Sequence, residues 1–581
     1  MTQLSRLLGV SLICLLTACG AEESLAPEAL IITPQGPVQG VTTEDAGIYN
    51  FKGVPFAAPP VGDLRWAAPT SAPKWTNTRA ADTFGNRCMQ PTGSEGGFLT
   101  RMIEGHGLGA VKNFLIKRAV AAQKPAPMSE DCLYLNVRTG NLNGEAPQPV
   151  MVWIHGGGHQ FGSADTNYYQ SNGLAEKGVV LVTINYRLGV FGYMAHPALS
   201  ASDPNGVSGN YGTLDQIAAL EWVRDNISAY GGDPDNVTIF GESAGGWSVT
   251  EMMASPLAEG LFDKAIAQSG ASTYHLGQMD GVGLGWPSGY ATGRLVAGAL
   301  GLSDPTAEDL RAVPAETMMA KLPPTAEEGF HHIRDGYVFP ENVGLAFRDG
   351  TFASVPLMTG YNADEGSLFF SDDPQPSVWL SDLAPADRET LINKLSAAFP
   401  TQAGQIVDLY DLDTDFMTGG EAMMGDEIFG VNIRYIAEQN ETAGSDTYVY
   451  HFSRVPPSDT QTLGAFHAAE IPFVFDSSEP ILGLSEDDEA LTEIMLTYWT
   501  NFARTGNPND AKLPNWPIYK GENWMHLSGN TGRALAQAET DIRVVKLDAL
   551  TEGLHVKLDT LAQTRAAESN ALDTGIMTSP K

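Results

Sequence analysis

One stretch of the chain has the residue types and spacing for nucleophilic chemistry: Gly241-Glu242-Ser243-Ala244-Gly245, preceded by the β-branched and aromatic run Val237 to Phe240. The run reads as a short buried strand, and Ala244 onward reads as a helix. A serine on a sharp strand-to-helix turn is held in a strained backbone conformation, and side chains two residues to either side would crowd it, which accounts for the glycines. The turn lifts the hydroxyl clear of the sheet, and the helix N-terminus sets N–H dipoles beside any oxyanion that forms. A serine hydroxyl is a weak nucleophile by itself. It needs a base to take its proton, an acid to orient that base, and preorganised donors for the tetrahedral oxyanion.

Each of these partners has candidates. Val150 to Ile154 is a buried strand followed by His155-Gly156-Gly157-Gly158. Three consecutive glycines cost backbone entropy, and a loop whose bare N–H groups reach a substrate oxygen gives them a use. Pro356 to Tyr361 is strand-like and runs into Asn362-Ala363-Asp364-Glu365-Gly366-Ser367. Either Asp364 or Glu365 can orient an imidazole there, and local chemistry does not choose between them. Of eleven histidines, only His451, His467, His526 and His555 follow that acid, as the chain order nucleophile, acid, base requires. His451 lies inside a strand pattern, and His526 and His555 lack turn chemistry around them. His467 sits in a loop after a strand and is the candidate base.

Such groups belong on loops after the strand ends of a parallel sheet. Strand-like runs recur along the chain, and no linker or repeat divides it, so residues 31–564 read as one large α/β domain. Residues 1–18, with Arg6 ahead of the apolar Leu7 to Leu16, read as a signal peptide too short to span a bilayer. Leu16-Thr17-Ala18-Cys19 resembles a bacterial lipobox, which makes Cys19 a lipidated first residue and 19–30 a tether. Gly20, where inner-membrane proteins usually carry aspartate, points to the outer membrane. Residues 565–581 read as a disordered polar tail.

Asp+Glu number 69 against 34 Lys+Arg, a net charge of −35, so nucleic acid is excluded as a partner. Of four cysteines, Cys14 leaves with the signal and Cys19 takes the lipid. Cys88 and Cys132 remain as a disulfide pair in an oxidising compartment. Metal binding needs more ligands than this pair offers and no Cys/His cluster accompanies it, so neither metal nor cofactor is expected.

Several blocks together resemble the type-B carboxylesterases of the cholinesterase–lipase family. They are Gly53 to Gly62 with Leu64-Arg65-Trp66, Ser129 to Val137, Asp203-Pro204 through Asp215-Gln216, Asp364-Glu365-Gly366-Ser367, and Thr500 to Ala503 with Gly506-Asn507-Pro508. The resemblance implies an α/β-hydrolase fold with a central, mostly parallel twisted sheet flanked by helices, in a bacterial lipoprotein form. It implies a serine carboxylic-ester hydrolase forming an acyl-enzyme on Ser243, with His467 as base and Glu365 as acid. It also implies oxyanion donors at Gly157, Gly158 and Ala244, makes Cys88–Cys132 the family's first disulfide loop, and calls for a small-molecule ester substrate. No tryptophan lies between Cys88 and Cys132, where cholinesterases carry a choline-binding one, which argues against choline esters. Residues 92–128 read either as a lid over the site or as an amphipathic helix fixed on its rim. The rival functions are a lid-bearing lipase acting on long-chain esters and a non-catalytic cholinesterase-like binding protein.

With so acidic a surface, membrane attachment rests on acyl chains at Cys19 rather than on charge. Replacing Cys19 by serine should move the exported protein into the soluble fraction, and salt washing should leave the wild type on membranes. Fractionation with N-terminal mass analysis checks this, and a wild-type N-terminus without lipid would refute it.

Overall fold

The computed structural model describes residues 29–573 apart from 44–46, 92–93, 106, 108, 123–124, 143–145, 282–283, 285–286, 324–329, 370–386, 456–460, 478–484, 530–533 and 541. The signal peptide and Cys19 therefore lie outside the described residues. The tether expected over 19–30 ends earlier than its boundary, because Ala29 is buried and Leu30–Ile32 pairs with Pro37–Gln39.

An eleven-stranded sheet forms the centre of the molecule. Its strands, in chain order, are β1 Val41–Thr42, β2 Tyr49–Pro55, β3 Tyr134–Thr139, β4 Gln148–Ile154, β5 Val180–Ile184, β6 Gly232–Glu242, β7 Lys264–Gln268, β8 Leu357–Asn362, β9 Thr447–Phe452, β10 Asn523–Leu527 and β11 Ala536–Thr540. Across the sheet they run β11-β10-β9-β8-β7-β6-β4-β5-β3-β2-β1. Strands β5, β4, β6, β7, β8, β9 and β10 pair in parallel, and antiparallel pairings occupy the two margins.

The parallel strands are buried over most of their length because helices cover both faces, which suits runs such as the Val-Leu-Val-Thr-Ile of β5. Alternation of side chains across the pleat divides the core in two. Val150, Val152 and Ile154 of β4 join Val182, Ile239 and Ala265 on one face, with Leu220 and Val223 of the helix Tyr211–Asn226. Met151 and Trp153 point the other way, to Phe240, Ile266 and Met358 and to Met495, Trp499 and Phe502 of the helix Glu486–Thr505. That second helix starts in a Ser485/Asp488 capping box and stops at Gly506, whose φ of 75° a side chain would disfavour.

The segment 92–128 folds into two helices, Ser94–Gly105 and Ala110–Ala122, inside the loop closed by a Cys88–Cys132 disulfide whose Cα atoms are 4.9 Å apart. At the far end the structure corrects the expected tail. The last helix spans Val544–Asp573, so residues 565–573 are helical, anchored by Arg565 on Glu341 and Asp349 and by Glu568 on Arg334 at 2.6 Å. Composition is polar there because the helix lies on the surface, and its partners come from distant parts of the chain. Among the described residues no helix is long and apolar enough to cross a membrane.

Just past β5, Tyr186 Oη donates to the His155 carbonyl at 2.7 Å, fixing the start of the glycine loop. Its neighbour Arg187 forks onto Asp215 through Nε and Nη2, both at 2.7 Å, with both side chains buried. Removing one partner of such a pair strands the other charge in the interior. Asp215→Ala should therefore cost about 3–5 kcal/mol, read as a lowered denaturant midpoint at unchanged slope. A change under about 1 kcal/mol would show that the fork carries little of the packing.

Candidate active site

Ser243 follows β6 directly and has φ 59° and ψ −125°, a conformation that costs a non-glycine residue about 1–3 kcal/mol. The helix Ala244–Ala254 begins at the next residue. The backbone around this turn leaves no room for side chains. A Cβ on Gly245 would sit 2.0 Å from the Ile154 carbonyl oxygen, and one on Gly241 would sit 2.7 Å from the same atom. The flanking glycines are thus required by the neighbouring strand end rather than by crowding at Ser243 itself.

The glycine loop after β4 runs against this turn. A Cβ on Gly156 would come within 3.1 Å of Ser243 Cβ. Gly157 and Gly158 take φ of 104° and 61°, and the Gly157 carbonyl turns back to accept from Gln160 N and Phe161 N at 3.0 and 3.1 Å. Among the described residues, the amides of Gly157, Gly158 and Ala244 donate to no backbone group outside regular elements.

Glu365 follows β8 and is 1 % exposed. Its Oε1 accepts from Asn362 N at 2.7 Å and its Oε2 lies 2.5 Å from His467 Nδ1. Asp364 faces elsewhere. Its Oδ2 accepts from Ala465 N at 2.8 Å and its own N–H donates to the Ala465 carbonyl at 3.0 Å, so it pins the loop that carries His467. Of the two carboxylates, Glu365 meets the His467 ring and Asp364 meets the backbone of the loop that carries it.

His467 is buried between the rings of Phe429 and Phe369, at centroid distances of 4.8 and 5.0 Å. Its Nε2 lies 3.1 Å from Glu242 Oε1, the residue just before Ser243. Sequence reasoning missed Glu242. The available signal was a carboxylate placed directly after a run of buried apolar residues. It also missed Glu470, fully buried behind Glu365, whose carboxylate accepts from Asn362 Nδ2 at 2.6 Å and Gln268 Nε2 at 3.1 Å. Trp499 Nε1 donates to Gln268 Oε1 at 3.0 Å and fixes that amide.

Burial by itself would push the His467 imidazole down, but Glu242 and Glu365 outweigh it and raise the group to about 9. Burial likewise raises Glu242 well above the usual carboxylate range, opposed by the His467 charge.

The helix Ser94–Gly105, packed on the helix Ala110–Ala122, reaches the loops that carry Glu365 and His467. Arg101 Nη1 donates to the Leu368 carbonyl, and the Gly105 carbonyl accepts from Thr462 N, each at 2.8 Å. The outer helix leaves Val111 and Phe114 exposed.

A serine turn, a glycine loop, and an imidazole held by a buried glutamate on an α/β sheet define a hydrolase-type site. The carboxylesterase family profile matches residues 27–544, and the chain belongs to that family. It is 34 % identical over 514 residues to the fumonisin B1 esterase of Sphingopyxis macrogoltabida, covering 85 % of each chain. To the para-nitrobenzyl esterase of Bacillus subtilis it is 33 % identical over 508 residues, covering 85 % of this chain and 93 % of that one. A solved PNB esterase superposes with a TM-score of 0.72 at 32 % identity, over 90 % of this chain and all of the other. A Geobacillus stearothermophilus carboxylesterase does so with a TM-score of 0.72 at 30 % identity, with 90 % and 100 % covered. The protein is an α/β-hydrolase and a carboxylesterase acting on small-molecule esters.

The charge balance at His467 is directly measurable. In the free protein its imidazole should titrate near 9, and Glu242→Gln should move that titration to lower pH by removing the carboxylate 3.1 Å away. Histidine-selective NMR reads both, and an unchanged titration in the variant would refute the coupling.

Proposed function

We propose that Ser243 is the nucleophile, His467 the general base and Glu365 the acid that orients it. The 2.5 Å contact between His467 Nδ1 and Glu365 Oε2, made beside the Ser243 turn, carries this reading. It leaves Nε2 as the proton-accepting nitrogen. That atom faces Glu242, the residue just before Ser243.

In the first half-reaction the neutral fraction of His467 takes the proton from Ser243 Oγ on Nε2 as Oγ bonds to the ester carbonyl carbon, so activity should rise as pH approaches the raised titration of the imidazole. The carbonyl oxygen becomes an oxyanion against the N–H groups of Gly157, Gly158 and Ala244. The C–O bond to the alcohol then breaks, and the alcohol leaves with the proton from His467. Water repeats the sequence on the acyl-enzyme, releasing the carboxylic acid and restoring Ser243. Donors already aimed at the developing charge are worth about 10²–10³ in rate apiece.

The esters favoured are uncharged or anionic, because no tryptophan stands in the Cys88–Cys132 loop to face a quaternary ammonium. The pinning of the helix Ser94–Gly105 on the Leu368 and Thr462 loops supports a fixed rim over a moving lid. Cys19 within its lipobox-like segment supports export and lipid anchoring at the outer membrane.

Ser243→Ala should fold as the wild type does and lose about a thousandfold or more in kcat/KM on a p-nitrophenyl ester. In the same assay Glu365→Gln should lose orders of magnitude and Asp364→Asn far less. Near-normal activity in the serine variant would end the assignment, and the reverse ranking of the two carboxylates would place the acid at Asp364.

A further inference from the structure

Behind the glycine loop lies a second buried cluster that the ester chemistry does not use. His159 follows Gly158, Glu251 lies on the helix Ala244–Ala254, and His332 precedes the short strand Ile333–Arg334. Their residues are 3 %, 1 % and 3 % exposed. One ligand-type atom from each falls within 4.8 Å of the other two.

The cluster is not a satisfied polar network. Glu251 Oε2 lies 3.0 Å from His332 Nε2, yet neither atom makes a hydrogen bond of proper geometry. The His159 and His332 rings meet edge to face at 4.4 Å between centroids, and Tyr193 and Phe339 close the walls around His332. His159 Nε2 is 2.9 Å from Ser248 Oγ, which in turn accepts from Gln216 Nε2 at 3.0 Å. A buried carboxylate oxygen without a donor is costly, and an ion held by carboxylate and imidazole removes that cost.

We propose that His159, Glu251 and His332 form a buried site for one divalent transition-metal ion of the zinc class. Two imidazoles and a carboxylate are a borderline-soft ligand set suited to zinc, cobalt or iron rather than to calcium or magnesium. Bonds of about 2.0–2.1 Å put tetrahedral ligands roughly 3.3 Å apart. The three atoms therefore close onto an ion by side-chain movements of about an ångström, with a water molecule as the fourth ligand. Such an ion would tie the glycine loop to the helix that follows Ser243. The site reverses the sequence-based expectation of no metal, and it does not depend on which residues perform the ester chemistry.

The experiment is metal analysis of the full chain produced in cells supplied with Zn²⁺, then treated with a chelating resin. About one equivalent of zinc should remain in the wild type, and less than about a tenth in Glu251→Gln or His332→Gln. The zinc-grown protein should also melt several degrees above protein grown under chelation. Growth with Co²⁺ instead should give intense visible absorption of a four- or five-coordinate ion, which needs no variant to fold. Wild type with less than about a tenth of an equivalent of zinc or cobalt, or a full equivalent retained in both variants, overturns the proposal. A weak spectrum of the six-coordinate, water-ligated kind does so as well.

Discussion

An imidazole buried between two carboxylates is the interaction around which the site is organised. Glu365 and Glu242 approach opposite nitrogens of His467 at 2.5 and 3.1 Å, with Glu470 fully buried close behind. Taking this much potential negative charge out of water is unfavourable unless donors and opposite charge surround it. Asn362 N, Asn362 Nδ2, Gln268 Nε2 and the His467 ring supply them. The ends of β7 and β8 provide Gln268 and Asn362, so the sheet edge itself furnishes the compensation.

The second demand falls on the backbone. A serine in a strained turn is maintained only where its surroundings determine the conformation. Ser243 N donates to the Gln268 carbonyl at 2.9 Å. The Ile154 carbonyl passes so close that Gly241 and Gly245 have space for hydrogen alone. The end of β4 thus both shapes the turn and launches the glycine loop beside it. Two requirements of the chemistry, an exposed hydroxyl and nearby N–H groups, are met by one packing contact between neighbouring parallel strands.

The region enclosed by Cys88–Cys132 adds a rim to this arrangement. The first of its two helices touches the segment after Glu365 and the segment before His467. The disulfide restricts the conformations open to the unfolded chain, and a loop of this length gives that effect a size of about 3–5 kcal/mol on the loop-entropy account.

Much of this was legible in the residues. Gly-x-Ser-x-Gly after an apolar run, three glycines after Ile154 and the chain order of acid and base each rest on local backbone needs, and local needs leave local marks. The β-branched strand runs and their period are legible for the same reason. What remained open in the residue types was everything set by direction or by distant partners. Asp364 and Glu365 are chemically alike, and only the path of the chain after β8 sends one to the loop backbone and the other to His467. Polarity around Arg565 suggested disorder, because Glu341 and Asp349 are far away in sequence. Likewise His159, Glu251 and His332 look like three unrelated residues until the fold places them within 4.8 Å. Spacing along a chain records the geometry of one turn or one strand, whereas a convergence of side chains from separate elements exists only once the sheet has set where each element ends.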